Sequence, residues 1–303
     1  MRVRNSWSKA APLKAAINKA WPTQKPEKLV DKLLPGPAGK RRVWTRADQL
    51  LVDEANSMLN GSPFTYGHVI VDEAQDHSAV ALRVIGRRSP TGSMTLVGDV
   101  AQSTTPAGQE RWSSVFGHLG VDVANGTIAD LTIGYRVPEP ILTVANRLLA
   151  HTGVDTTESR SVRRVGEPPA WHFTTPEQCA ADTAALAVAT RHRRRVSAIV
   201  ALSASHPAIE RALAEHGLRA VHHVHDLAAD ELPVFDPERV KGLEFDGVIV
   251  VNPHEILSEG TDHEITARGA RLLYVAMTRA VQELHFVTDA DPPEVLDIDR
   301  PFA

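Results

Sequence analysis

Cysteine is almost absent from this chain. A single residue, Cys179, among 303 cannot close an internal disulfide, and such sparse use fits a reducing, cytoplasmic compartment. Long apolar runs are missing as well. None approaches the length of about 18 residues that a membrane-spanning helix requires. Residues 1–20 are basic but hold no apolar segment, which excludes a signal peptide. Nor does one sign of charge dominate: 33 Lys/Arg against 37 Asp/Glu leave a net charge of -4, so the chain as a whole is not a basic nucleic-acid binder. What remains is ordinary globular composition, 43% hydrophobic and 23% charged, and a length for one large or two ordinary domains. The charge is unevenly spread. Residues 1–60 carry 12 Lys/Arg against 5 Asp/Glu, which suits either a solvated helical face or a contact with nucleic acid or an acidic surface.

The organising stretch is His68-Val-Ile-Val-Asp-Glu-Ala-Gln-Asp76. Val69 to Val71 read as a strand covered on both faces, ending at two carboxylates. In open α/β sheets, chemistry collects at the carboxyl ends of such strands. Asp72 and Glu73 are therefore candidates for holding Mg²⁺ and for orienting an attacking water. An acidic strand-to-helix turn, capped by Asp76 or Ser78, would produce the same residues. Met94 to Val97 repeat the layout and lead to Gly98-Asp99-Val100-Ala101-Gln102. There Gln102 would hydrogen-bond a phosphate or a water, and Asp99 would support a metal shell.

Strands alternate with helices through the rest of the chain, which predicts a parallel α/β sheet. Strands are expected at 131–133, 170–173, 196–202, 220–224, 233–235, 247–251 and 283–288. Helices are expected at 7–20, 28–34, 45–59, 78–88, 138–150, 176–194, 206–216 and 265–280, the third opened by a Thr45/Asp48 capping box. Residues 151–168 read as a linker. Arg136, after the strand at 131–133, would face a phosphate and Tyr135 would stack on a base, or the pair is simply an exposed Arg beside a core Tyr. In Val240–Asp246, Gly242 permits close approach to a ligand and Glu244 would accept from a ribose hydroxyl. Arg279 ends a nearly apolar helix, where it either meets an anion or stabilises the last-turn carbonyls. Two further readings are set aside. Gly36-x-x-Gly39-Lys40 has the wrong spacing for a phosphate loop, lacks the Ser/Thr and follows no strand. His222, His223 and His225 suggest zinc only weakly, because alternate residues on a strand face opposite ways and no Cys cluster supports them.

In order, DEAQD, GDVAQ, GYR-x-P, KGLEFD and LLYVAMTRA resemble motifs II to VI of the UvrD/Rep-type superfamily 1 helicases. Trp21-Pro22, Trp44-Thr45-x-x-Asp48 before Asp53-Glu54-Ala55, and Arg83–Arg88 are similar to the HelD-type branch, helicase-like ATPases that recycle RNA polymerase. The short interval from Pro138 to Phe235 leaves no room for a large inserted 2B domain.

The resemblance implies two RecA-like parallel-sheet domains of the P-loop NTPase type, the first incomplete: residues 1–135 for the C-terminal part of domain 1A with a helical N-terminal segment, and 136–303 for domain 2A. It also implies ATP and Mg²⁺ as cofactors. Asp72 would hold the metal, Glu73 would act as general base and Gln102 would sense the γ-phosphate. Arg136 and Arg279 would contact that phosphate, Tyr135 would stack on adenine, Gly242 would approach the phosphates and Glu244 would bind ribose. The partners implied are nucleic acid or RNA polymerase, with no membrane.

Residues 1–303 depart from the pattern by lacking the phosphate loop, the adenine-recognising segment before it and the coiled coil of HelD-type proteins. The expectation is a C-terminal motor portion with little or no ATPase activity by itself, the loop coming from an upstream polypeptide. The alternative is a non-catalytic module that keeps the fold to bind RNA polymerase or nucleic acid.

Overall fold

In the computed structural model the chain divides into two compact units that interleave along the sequence. The first comprises Met1–Asp72, His77–Val97 and Val115–Asp122, and the second Glu73–Asp76, Gly98–Ser114 and Val123–Ala303. The structure describes residues 15–16, 19–20, 22–35, 42–62, 64–122, 124, 126–154, 156–260 and 264–296. Most of the helix expected over 7–20, and Gly36, Gly39 and Lys40, lie outside them.

In the first unit, β1 (Val69–Val71) pairs in parallel with β2 (Met94–Leu96), Val69 opposite Met94 and Val71 opposite Leu96. The His68 ring ties the start of the pair, Nδ1 at 2.9 Å from Ser93 Oγ and Nε2 at 3.1 Å from Thr95 Oγ1. One expectation fails here. β1 is not covered on both faces, for Ile70 is 72% exposed. The sheet has two strands only, and period-2 alternation turns Val71 inward and Ile70 outward.

Helix α1 (Pro26–Leu33) precedes α2 (Arg46–Asn60), and α2 starts as its sequence predicts. Thr45 Oγ1 accepts from the Asp48 amide at 3.2 Å, and Asp48 returns the bond to the Thr45 amide at 2.9 Å. That amide, with the Arg42 guanidinium next, draws the Asp48 carboxyl down from 3.8 to about 2. Helix α3 (Ala79–Gly86) is capped by Ser78, whose Oγ accepts from Ala81 at 3.3 Å. Arg83 and Arg87 both bind Glu54, and Arg88 binds Asp53 at 2.7 Å, tying the end of α3 to α2. Helix α4 (Trp112–Leu119) was not foreseen. Its carboxyl end lies so close to α3 that a Cβ on Gly86 would stand 2.1 Å from the Leu119 carbonyl oxygen.

The second unit is a six-stranded, wholly parallel sheet in the order β5-β10-β9-β6-β8-β7. These strands are β5 (Ala170–Phe173), β6 (Ser197–Val200), β7 (Arg219–Val221), β8 (Glu231–Phe235), β9 (Phe245–Val251) and β10 (Ala280–Thr288). The α/β class and the parallel sheet agree with the sequence. Both faces are covered, which is why β9 reads as an unbroken apolar run. Val248 and Val250 point into one core with Phe286, Leu273 and Ile141. Ile249 and Val251 point into the other with Ile199, Leu213 and Cys179. Helices α5 (Glu139–Asn146) and α9 (Ala267–Met277) supply the first core; α6 (Cys179–Arg193) and α7 (His206–Glu215) supply the second. Burial in that second core, with Asp289 nearby, pushes the Cys179 thiol up to about 11.

Two elements were missed. The 151–168 stretch contains β4 (Arg160–Ser161), paired with β3 (Ile133–Gly134). Helix α8 (Pro253–Ser258) lies between left-handed residues, Asn252 at φ 46° and Glu259 at φ 51°. Among the described residues no helix is long and apolar enough to cross a membrane.

Two measurements check this account of the first unit. Gly86→Ala forces α3 and α4 apart against backbone, and should lower stability by about 1–3 kcal/mol in denaturant unfolding. Thr45→Ala should cost about 1 kcal/mol. The Asp48 contribution follows from its depressed pKa: it is present above pH 3.8 and fades as pH falls towards about 2. The Thr45→Ala difference should therefore shrink over that interval.

Candidate functional site

Two short turns of the second unit carry the polar residues singled out in the sequence. Ala74–Asp76 and Val100–Gln102 are single 3₁₀ turns, each too short to satisfy its own backbone without side-chain help. Gln75 supplies that help. It is fully buried, its Nε2 donates to Glu73 Oε2 at 2.6 Å, and its Oε1 accepts from the Asp99 amide at 3.1 Å. Its backbone carbonyl accepts from the Gln109 amide at 2.6 Å. The fit leaves no room at Gly98, where a Cβ would meet Gln75 Oε1 at 2.1 Å. Glu73 itself adopts φ 49°, a left-handed conformation costing a non-glycine residue about 1–2 kcal/mol.

The second turn is built likewise. Asp99 Oδ1 accepts from the Ala101 amide and Oδ2 from Gln102 Nε2, both at 2.9 Å. Asp99 therefore orders its own turn and fixes the Gln102 amide. With Nε2 held, Gln102 presents Oε1 as an acceptor, and the Arg279 guanidinium donates to it at 3.1 Å.

Arg279 is 3% exposed. Nε donates to the Val275 carbonyl at 3.1 Å, and NH1 lies 3.4 Å from the Leu243 carbonyl. The last-turn reading of this residue holds, since it caps the end of α9, and it also reaches Gln102. Its acceptors are neutral. Burial, and then the charge of Arg136, lower its pKa from 12.5 to about 10, while Glu244 and Glu73 act the other way. It is still a cation at neutral pH. Tyr274, buried in the same helix, has its phenol pushed up by burial and by Asp99. An anion placed at Arg279 would offset its desolvation, so the residues present fit a phosphate-bearing ligand.

Lys241 was not singled out, yet it joins the two turns. Its Nζ lies 2.7 Å from Asp76 Oδ2 and 3.4 Å from Glu73 Oε2, and donates to the Gln102 carbonyl at 2.6 Å. Next to it, Gly242 has φ 77°, and a Cβ there would meet nothing within 4 Å. The glycine answers to backbone conformation and borders open space. Arg136 pairs with Glu244, both about half exposed, and the Arg163 guanidinium holds the Arg136 and Val281 carbonyls. Tyr135 stands 75% exposed. Asp72 ends β1 in the first unit, where it is exposed. Of the eight residues expected to act, the second unit thus contains Glu73, Gln102, Tyr135, Arg136, Gly242, Glu244 and Arg279.

Gln75, Lys241 and Arg271 escaped the sequence reading. Arg271, 6% exposed, donates to the Thr152 carbonyl at 2.7 Å and pairs with Glu110 at 2.9 Å. Its signal was available: it stands at the start of the apolar Leu272–Met277 run of α9, as Arg279 stands just past its end.

Residues 234–287 match the family model of the UvrD-like helicase C-terminal domain. The matched segment runs from β8 to β10 and contains Lys241, Gly242, Glu244 and Arg279. The chain is also similar to a crystal structure of the C-terminal domain of a possible DNA helicase from Lactobacillus plantarum WCFS1. The identity is 26% over 54% of this chain and 92% of that one, with a TM-score of 0.41. No curated protein matches the chain.

The Gln75 network makes a sharp test. Gln75→Leu strands the Asp99 amide and frees Glu73, and should cost about 1–3 kcal/mol. Gln75→Glu sets a second carboxylate against Glu73 and should cost more at pH 7, with the excess shrinking as pH falls and carboxylates protonate. Chemical denaturation of the three proteins at two pH values checks both.

Proposed function

We propose that this chain supplies the phosphate-sensing and arginine-finger half of an ATP-dependent, UvrD-like helicase motor. The observation that carries the reading is the contact between Gln102 and a buried Arg279, inside a unit that also holds Glu73, Arg136 and Lys241. A cation kept at 3% exposure among neutral acceptors is costly for stability alone, and is suited to a charge that arrives with a ligand.

In this reading Arg279 and Arg136 bind the γ-phosphate from the second unit, and Gln102 orients beside it. Glu73 takes the proton of the attacking water once Lys241 has left it. Asp72 would hold Mg²⁺, whose charge would offset that of the phosphate oxygens. Tyr135 stacks on adenine, Gly242 allows phosphate oxygens near the backbone, and Glu244 exchanges Arg136 for ribose. Residues 1–303 contain no phosphate loop, so most stabilisation of the β- and γ-phosphates has to come from another polypeptide segment. The ion-paired cluster of Glu54 and Asp53 with Arg83, Arg87 and Arg88 falls on the residues that resemble the HelD-type branch. It supports RNA polymerase remodelling as the motor's task, with nucleic acid as the broader class of partner.

The test is equilibrium binding of a fluorescent ATP analogue with Mg²⁺ to the 303-residue chain, with turnover followed in parallel. Binding should weaken at least tenfold in Arg279→Ala and in Arg136→Ala. Turnover should stay well below the ordinary range of about 1–100 s⁻¹. Absence of binding, or binding indifferent to both substitutions, would leave the non-catalytic binding module as the better reading. Ordinary turnover lost in Glu73→Ala would overturn the expected dependence on a separate phosphate loop.

A further inference from the structure

Far along the sheet from the turns described above, at its β7 edge, three side chains of the second unit converge. They are His206 and Glu210, one turn apart at the start of α7, and His222, just after β7. One ligand-capable atom of each lies within 4.8 Å of the others. Glu210 Oε1 is 3.6 Å from His222 Nε2, and the two imidazoles stack at 5.8 Å with an interplanar angle of 17°.

The hydrogen bonds around the trio fix its protonation. A carbonyl oxygen only accepts, so a ring nitrogen bonded to one must carry a proton. His206 Nε2 is 3.0 Å from the Ala201 carbonyl, and His222 Nδ1 is 2.8 Å from the Val234 carbonyl. Each neutral ring therefore keeps its lone pair on the other nitrogen, Nδ1 in His206 and Nε2 in His222. With both rings neutral, the His222 Nε2 lone pair faces the Glu210 carboxylate beside the second imidazole, and a shared cation relieves that repulsion for the whole trio where a proton would serve only one pair. Backbone carbonyls that hold the far nitrogen of each imidazole are the usual outer support of metal-binding histidines.

We propose that His206, Glu210 and His222 form a binding site for a divalent transition metal, with zinc the ion that this donor set favours. Two imidazoles and one carboxylate suit zinc and exclude magnesium or calcium, which take oxygen ligands. Ligand atoms around tetrahedral zinc stand about 3.3 Å apart. Closing from 4.8 Å needs only side-chain rotation, and the Glu210 and His222 side chains are 43% and 46% exposed. The same exposure leaves the fourth position to water or to an outside ligand. Such a metal would fasten edge strand β7 to α7. The sequence pointed at the wrong histidines: His223 turns its Nδ1 to the His225 carbonyl at 3.1 Å, and only His222 of that run joins the trio.

The full chain, stripped with chelator, is titrated with zinc chloride in a calorimeter. One zinc should bind per chain. His222→Ala and Glu210→Gln should each lower the affinity at least tenfold, and His223→Ala should leave it unchanged. Circular dichroism melts of the metal-free proteins separate loss of ligand from loss of fold, since both substituted side chains are half exposed. Should either variant melt early, cobalt(II) added to the unmutated chain decides. Intense visible bands of four- or five-coordinate cobalt, removed by an equivalent of zinc, support the site. No saturable zinc binding, equal affinity in His222→Ala, or only the weak bands of hexaaqua cobalt would overturn it. None of these outcomes depends on nucleotide binding.

Discussion

The polar centre of the second unit depends on one constraint: a guanidinium taken out of water must place each of its nitrogens on an acceptor. Arg279 meets it with the Val275 carbonyl, the Leu243 carbonyl and Gln102 Oε1. Gln102 can serve only because Asp99 holds the other end of its amide. Asp99 in turn is placed by Gln75, and Gln75 holds Glu73. The chain of dependence thus runs from a helix end in the C-terminal sheet to a glutamate some two hundred positions earlier, through two side-chain amides and the Asp99 carboxylate. Low local dielectric strengthens each link and makes a broken one costly.

Lys241 adds the electrostatic counterpart. It neutralises Asp76 and Glu73 at once and touches the Gln102 carbonyl. Glu73 is therefore held in a left-handed conformation by an ion pair and one hydrogen bond. Both are interactions that an incoming anion or divalent cation would rearrange. Glu244 and Arg136 stand in a similar exchangeable pair. One atom of the cluster, Asp76 Oδ1, is buried without a hydrogen-bond partner, and the ion pairs around it are of the kind that a charged ligand can replace.

Much of this was legible in the sequence. β5 and the interior of β9 were readable from apolar runs, because a strand buried on both faces has no polar face to confuse the pattern. Thr45 announced α2 because the capping box is local chemistry. β1 was misread for a related reason: Val-Ile-Val looks the same whether Ile70 is buried or bare, and only the number of strands decides. β4 was invisible because two polar residues become a strand solely by pairing with distant Thr132 and Gly134. At the site, residue types at strand ends singled out Glu73 and Gln102, and a cation at the end of an apolar helix singled out Arg279. Gln75 and Lys241 were hidden inside runs already quoted, because their importance lies in long-range partners rather than in spacing. The histidine trio could not be found at all from the His222–His225 run, since two of its members come from a different helix.

Cys179 turns the second core into its own reporter. The chain's one thiol is buried, and pushed up to about 11 it leaves only about one molecule in a thousand carrying the reactive thiolate at pH 8. Alkylation in the native state must then wait for α6 to lift from the sheet. The rate of labelling becomes a clock for that opening, with no engineered probe required, and comparing it with global unfolding tells whether the sheet's far face melts alone or with the rest.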